Sequence, residues 1–192
     1  MNDNSDNLTS ADNQQERLIK IGWITGFVDG EGCFSIGFVK QFGNSSRKGY
    51  TTGYQVWYEF AVTQGEKSLS SLEELQKFFG VGNIYINKRH DNHKEHLYRY
   101  VVRKRVDLEK VIVPFFTTHP LRTAKNDDFK KFAQCLSMIS ARFHLTDEGL
   151  VEIAKIAQTM NRRKPRDYLI RILRDYTPNA VVKDSEDIVP SA

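Results

Sequence analysis

A chain of 192 residues with 40% apolar side chains and 12 phenylalanines can bury one substantial core, which excludes a disordered or fibrous polypeptide. No apolar run approaches the ~20 residues needed to span a bilayer, and the Asn/Asp/Gln-rich start Met1–Gln15 reads as neither a signal peptide nor an Arg-rich transit peptide, so no membrane partner is expected. The formal charge of +4 hides a basic body: residues 1–17 carry one basic and four acidic side chains, 178–192 one and three, leaving 26 basic against 17 acidic over 18–177, a net +9 that favours a polyanionic partner.

In chain order, 1–17 reads as a disordered polar leader. Leu18–Asp29 is the first expected helix, with apolar Leu18, Ile21, Ile24, Phe27 and Val28 beside a stripe of Gly22, Gly26 and Gly30. Each interior glycine costs such a helix roughly 1 kcal/mol relative to alanine. A second backbone pressed against the bare stripe would offset that penalty, so the stripe is the expected dimer interface. The helix then ends on Asp29 and Glu31, where the macrodipole disfavours negative charge. Local preference is violated twice in ten residues, as it is at functional sites.

Cys33–Lys40 reads as a strand, followed by a loop over Gln41–Gly53 that holds Arg47 and Lys48. Tyr54–Gln64 is a second strand, with Val56, Tyr58, Phe60 and Val62 on one face and Gln55, Trp57, Glu59 and Thr63 on the other. Ser68–Phe79 is an amphipathic helix closed by Gly80. Strands follow at Gly82–Arg89 and His96–Lys104, with His93 and Lys94 in the loop between them. Helices are expected at Val106–Thr117, at Thr123–Phe143 with Phe143 on its buried side, and at Asp147–Asn161 capped by Thr146. The fold class is α+β: an antiparallel sheet with helices on one face, in the order α-β-β-α-β-β-α with extra C-terminal helices, and its other face open.

Residues 18–162 form the expected domain, 163–177 a basic helix that either packs on the body or serves as a nucleic-acid arm, and 178–192 an acidic tail. Cys33 and Cys135, 102 positions apart, match no disulfide or zinc spacing and read as buried reduced thiols. The five histidines show no metal spacing either.

Ile24-Thr25-Gly26-Phe27-Val28-Asp29-Gly30-Glu31-Gly32 resembles the nine-residue signature of the LAGLIDADG homing endonucleases. Phe60–Gln64, Pro120–Lys125 and His144–Leu150 fall in the order that family shows, and the likeness spans roughly 18–162. One copy of the signature resembles the homodimeric members. The resemblance implies a metal ligand on Glu31, the acid next to the final glycine, with the Gly30 carbonyl as an extra ligand; the cation would be magnesium, a hard ion suited to oxygen donors. Asp29 lies about 200° around the helix from Glu31 and cannot face the same metal, so it reads as a cap on neighbouring backbone amides. Gln64 would place water or metal, and Lys125 would stabilise phosphate charge. Where some relatives carry an arginine after the glutamine, this chain offers Lys67 or Ser68.

The open sheet face would read double-stranded DNA with Ser35, Gly37, Val39, Gln55, Trp57, Glu59, Tyr85, Asn87 and Arg89, while Arg47 and Lys48 reach phosphates. Arg99 and Arg103 join that face by burial, because they alternate with Tyr98, Tyr100 and Val102; some relatives use the other register. The resemblance therefore implies a homodimeric, intron-encoded, magnesium-dependent endonuclease that cuts both strands of a long pseudo-palindromic site and leaves staggered ends. Its place would be the cytoplasm or the organelle interior where it is encoded. The alternative is a maturase that binds intron RNA, or a non-cleaving regulator on the same scaffold.

Overall fold

The computed structural model describes residues 5–41, 52–87 and 96–161. Arg47, Lys48, Arg89, His93, Lys94 and the segments 163–177 and 178–192 lie outside the described residues. The first helix, α1, runs from Ser5 to Glu31. It therefore begins inside the expected leader and includes Glu31, two residues beyond the expected end. Once the packed half of a helix exists, adding turns over good helix formers such as Ala11, Gln14, Gln15 and Glu16 costs little, because nucleation is already complete.

Strand β1 (Gly32–Lys40) follows α1 without a loop. It pairs antiparallel with β2 (Tyr54–Gly65), which pairs with β4 (Leu97–Val102), and β3 (Asn83–Asn87) closes the order β1-β2-β4-β3. The register settles the faces, since residues directly opposite share a side. Phe34↔Phe60, Ile36↔Tyr58 and Phe38↔Val56 point one way, joined by Phe60↔Val102 and Val62↔Tyr100. Ser35↔Glu59, Gly37↔Trp57 and Val39↔Gln55 point the other, joined by Thr63↔Arg99 and Tyr85↔Arg99. The alternation read in β2 is the observed one.

Among the described residues, helices cover the first face only. α2 (Leu69–Phe79) buries Leu72, Leu75 and Phe79 and ends on Gly80 in the left-handed conformation (φ 65°), the backbone state glycine reaches at no steric cost. The expected helix Val106–Thr117 is instead α3 (Arg105–Asp107), a π-helical turn (Leu108–Ile112) and α4 (Val113–Thr118). Pro114 near the start of α4 has no N–H to donate back into the preceding turn, and the wider turn accommodates that loss. α5 (Lys125–Ser140) stops short of Phe143, which lies in a 3₁₀ turn (Phe143–Leu145) and is 41% exposed, not buried as expected. Arg142 breaks the helix there with φ 61°. α6 (Asp147–Gln158) starts at Thr146, whose hydroxyl oxygen accepts from the Gly149 amide at 3.1 Å, as the sequence led us to expect.

The core is aromatic. The Phe34 ring lies 5.0 Å from Phe60 and 5.3–5.7 Å from Phe116, Phe129 and Phe132. Phe34 is fully buried and sits three residues after Glu31, so this aromatic cluster holds the end of α1 in place. No helix among the described residues is long and apolar enough to cross a membrane.

Candidate functional site

Three segments meet at the C-terminal end of α1. The Asp29 carboxylate accepts from the Arg122 amide at 2.9 Å, the Thr123 amide at 3.2 Å and the Thr123 hydroxyl at 2.6 Å. Asp29 is thus the cap its position in α1 implied, and it ties the Pro120–Lys125 stretch to α1. Burial pushes its pKa up, but the Thr123 hydroxyl, the Arg122 and Thr123 amides and the nearby Lys125 charge together hold it below the ordinary aspartate value.

That tie places Lys125, the first residue of α5. Its ammonium donates to the Gly30 carbonyl at 2.9 Å and to the Val28 carbonyl at 3.1 Å. The orphan carbonyls that end α1 are therefore capped by a cation, which suits the negative end of the dipole. Burial lowers the Lys125 pKa, and the charges of Cys33, Asp29, Glu31 and Asp128 offset that only in part. The Gly30 carbonyl, read from the sequence as an extra metal ligand, has one lone pair engaged by Lys125 here.

Glu31 is exposed at the last position of α1 and makes no hydrogen bond to the described residues. An acid at the negative end of a helix dipole, held by no hydrogen bond and near only the Lys125 charge, can accept a cation. One such carboxylate is not a metal centre, and the described residues contain no group of three or more His, Cys, Asp or Glu that could hold an ion. Gln64 lies two residues past Val62, the partner of Gly32, and pairs with Tyr98. It follows the parity of Phe60 and Val62, so it is not on the open face; it stands at the same sheet end as Glu31.

Two sequence readings change here. Cys33, expected to be a buried thiol like Cys135, is only half-buried, and Asn161 lies past the end of α6 and not in it: the Cys33 thiol lies 3.3 Å from the Ser35 hydroxyl and donates to Asn161 Oδ1 at 3.6 Å. Asn161 sits in the left-handed region (φ 55°), takes Asp128 Oδ1 on its amide at 2.9 Å and donates its side-chain amide to the Phe34 carbonyl at 3.2 Å. An Asn just past a helix was the available signal, because Asn tolerates that conformation.

The glycine stripe is open. A Cβ added at Gly22, Gly26 or Gly30 would meet nothing within 4 Å, so none of the described residues packs on it. Leu18 (61% exposed), Ile19 (65%) and Trp23 (36%) prolong that uncovered side of α1, while Ile24 and Val28 on the opposite side are buried.

The open sheet face carries Ser35, Gly37, Val39, Gln55, Trp57, Glu59, Tyr85, Asn87, Arg99 and Arg103 together, the last being one residue beyond β4. Two members differ from expectation. Glu59 is only 4% exposed, because both its oxygens are taken by arginines: Oε1 by Arg99 Nη2, and Oε2 by Arg103 Nε at 2.9 Å. Gly37 is a seat, since the Trp57 indole occupies the space a Cβ would fill.

A family model for LAGLIDADG endonucleases matches residues 24–136, more than half of the chain. Among solved structures, the chain resembles the homing endonuclease I-TnaI with 43% identity and a TM-score of 0.67, over 82% of this chain and 97% of that one. It resembles I-SmaMI, in a crystal bound to uncleaved DNA with calcium ions, with 32% identity and a TM-score of 0.67 over 81% of this chain and 49% of that one. A probable intron-encoded endonuclease 3 of Neurospora crassa is 33% identical over 72% of this chain and 24% of its own length. A protein encoded in ND4 intron 1 of Podospora anserina is 35% identical over 65% and 25%. The chain thus spans about a quarter of the length of these fungal relatives. With the signature helix, the sheet order and the family match in agreement, this chain belongs to the LAGLIDADG endonuclease family.

Proposed function

We propose that this chain is a site-specific, double-strand DNA homing endonuclease that works as a homodimer. The observation that carries the reading is the end of α1: the glycine stripe that the described residues leave open and the exposed Glu31 carboxylate are on one helix, so the contact that builds a dimer brings two Glu31 carboxylates together. The polar, arginine-bearing sheet face next to them is the surface for a duplex, and the net +9 of the body favours it. A two-fold dimer reads a long pseudo-palindromic site, with one active site per strand and staggered ends.

A divalent cation, magnesium in this reading, fits the donors present, which are hard oxygens on Glu31 and the Gly30 carbonyl. Bound there, it supplies an activated water and neutralises charge on the phosphate. The chain's own residues do the rest. Glu31 holds the ion, Gln64 orients water at the sheet end, and Lys125 brings a fixed positive charge to the phosphate. Asp29 positions Lys125 and does not touch the substrate.

Glu31→Gln tests this reading. It keeps shape, removes both metal-anchoring charges of a dimer, and should abolish cutting of both strands without an accumulating nick. DNA binding should hold or tighten, as two negative charges facing phosphates disappear. Single-turnover cleavage and binding on duplex spanning the insertion site decide it; near wild-type cutting by Glu31→Gln overturns the mechanism.

A further inference from the structure

Glu59 is a buried carboxylate in the middle of an otherwise exposed face, and it serves two guanidiniums at once. Its side chain is 5% exposed, against 35% for Arg99 and 58% for Arg103. A carboxylate in such a place must be paired and hydrogen-bonded, and here both oxygens are engaged. Two arginines bring ten N–H donors, far more than one carboxylate can take, and their charges leave the cluster at net +1. The surplus donors face the open side of the sheet.

The two arginines are held differently. Arg99 is held through Nη2, so one of its terminal amino groups is already engaged. Arg103 is held through Nε, which leaves both terminal amino groups together at the outer end of the side chain. Its guanidinium carbon also lies 5.8 Å from the centre of the Tyr85 ring, so an aromatic face limits its swing from β3. Glu59 at its base and Tyr85 at its side fix one of the most flexible side chains in proteins. Paired terminal amino groups match the O6 and N7 acceptors that guanine shows in the major groove.

We propose that Arg103 reads a guanine, and that Glu59 is a positioning residue that aims it and never touches DNA. This rests on the sheet being the DNA surface. It assigns Glu59 a part that its exposure-based reading as a base contact does not, and it assigns Arg99 to the clamp. The preorganised fork spends less ordering entropy on contact, which sharpens discrimination more than affinity.

The test is a base-by-base preference profile, measured as binding of fluorescent duplexes that carry each substitution in the target, without divalent metal. Wild type should prefer guanine at one symmetric pair of positions by roughly tenfold, within the usual span for a bidentate contact. Arg103→Lys keeps the charge but not the fork, and should reduce that preference to about twofold or less, with other positions unchanged. Glu59→Gln should blunt the same positions while binding to random duplex holds or rises, since a negative charge is lost.

If Arg103→Lys leaves every position unchanged, the inference is overturned, whether or not the Glu59 variant folds. A Glu59→Gln protein that melts earlier yet keeps its profile overturns the positioning role. A uniform loss of affinity with a salt slope lower by about one marks Arg103 as a phosphate contact and also overturns the guanine assignment. A wild type that binds no duplex removes the DNA surface itself, and one that binds all duplexes alike removes base reading by it; both failures are recognisable without any variant.

Discussion

The Lys125 ammonium caps α1 by donating to the carbonyls of Gly30 and Val28, at 2.9 and 3.1 Å. The lysine that faces the candidate active site is therefore also a structural cap. Lys125→Met should cost about 1–2 kcal/mol of stability, the worth of hydrogen bonds from a charged group less the relief of its burial. It should also depress cleavage much more than that loss explains. Urea melts beside single-turnover rates check both, and unchanged rates would leave Lys125 as a cap alone.

The same burial gives a pH signature. The folded-state pKa of Lys125 is lowered, so it loses its proton at a lower pH than an ordinary lysine, whose value is 10.5. The unfolded chain then holds more protons between the two values, and the penalty for burying this charge is relieved as pH rises through that window. Cleavage that needs the ammonium should fall on the alkaline side earlier than a free lysine predicts. Lys125→Arg, which stays charged, should lack that limb in a rate–pH profile.

Asp29 should matter through stability and not through chemistry. Asp29→Ala removes three hydrogen bonds that join α1 to Arg122 and Thr123, an expected loss of about 1–3 kcal/mol. Its folded pKa is depressed below 3.8, so its contribution is fully present above that value and disappears as pH falls through the lower folded one. The gap in melting temperature between wild type and Asp29→Asn should therefore close in strong acid. A gap that stays constant to pH 2 would contradict the tie.

Gly26→Leu separates dimer from fold. An added Cβ at Gly26 meets nothing within 4 Å among the described residues, so the fold should tolerate the substitution and gain up to about 1 kcal/mol of helix propensity. A dimer built on the stripe should be lost, because overpacking forces the helices apart. Analytical ultracentrifugation with thermal melts should show a stable monomer. A dimer that survives the leucine would move the interface elsewhere.

Gly37→Ala should unseat Trp57, because its Cβ would fall inside the indole. The expected cost is about 1–3 kcal/mol. With Trp23 replaced by Phe, the remaining tryptophan emission should shift red as the ring leaves its seat. Unshifted emission would mean that the strands, and not the ring, give way.

Much of this protein was legible in the sequence because the deciding forces were local. Period-2 alternation in Tyr54–Gln64 and period-4 glycines in α1 report which side meets the core, and the strand register repeats that division. Thr146 as a cap and Gly80 as a stop each follow from what a helix end requires, whereas Asp29 finds its donors on Arg122 and Thr123, far along the chain. Boundaries were less legible: α1 extends back to Ser5 because elongation is cheap, and Pro114 announces a missing donor without announcing that a wider turn just before it absorbs the loss. Only the tertiary structure decided that Glu59 is buried between Arg99 and Arg103, that Trp57 rests on Gly37, and that Lys125 sits on Gly30. Those contacts join residues from 20 positions apart (Gly37 and Trp57) to 95 (Gly30 and Lys125). A charged side chain looks the same in sequence whether solvent or a second charge satisfies it, and the choice is made by which strand happens to lie beside it.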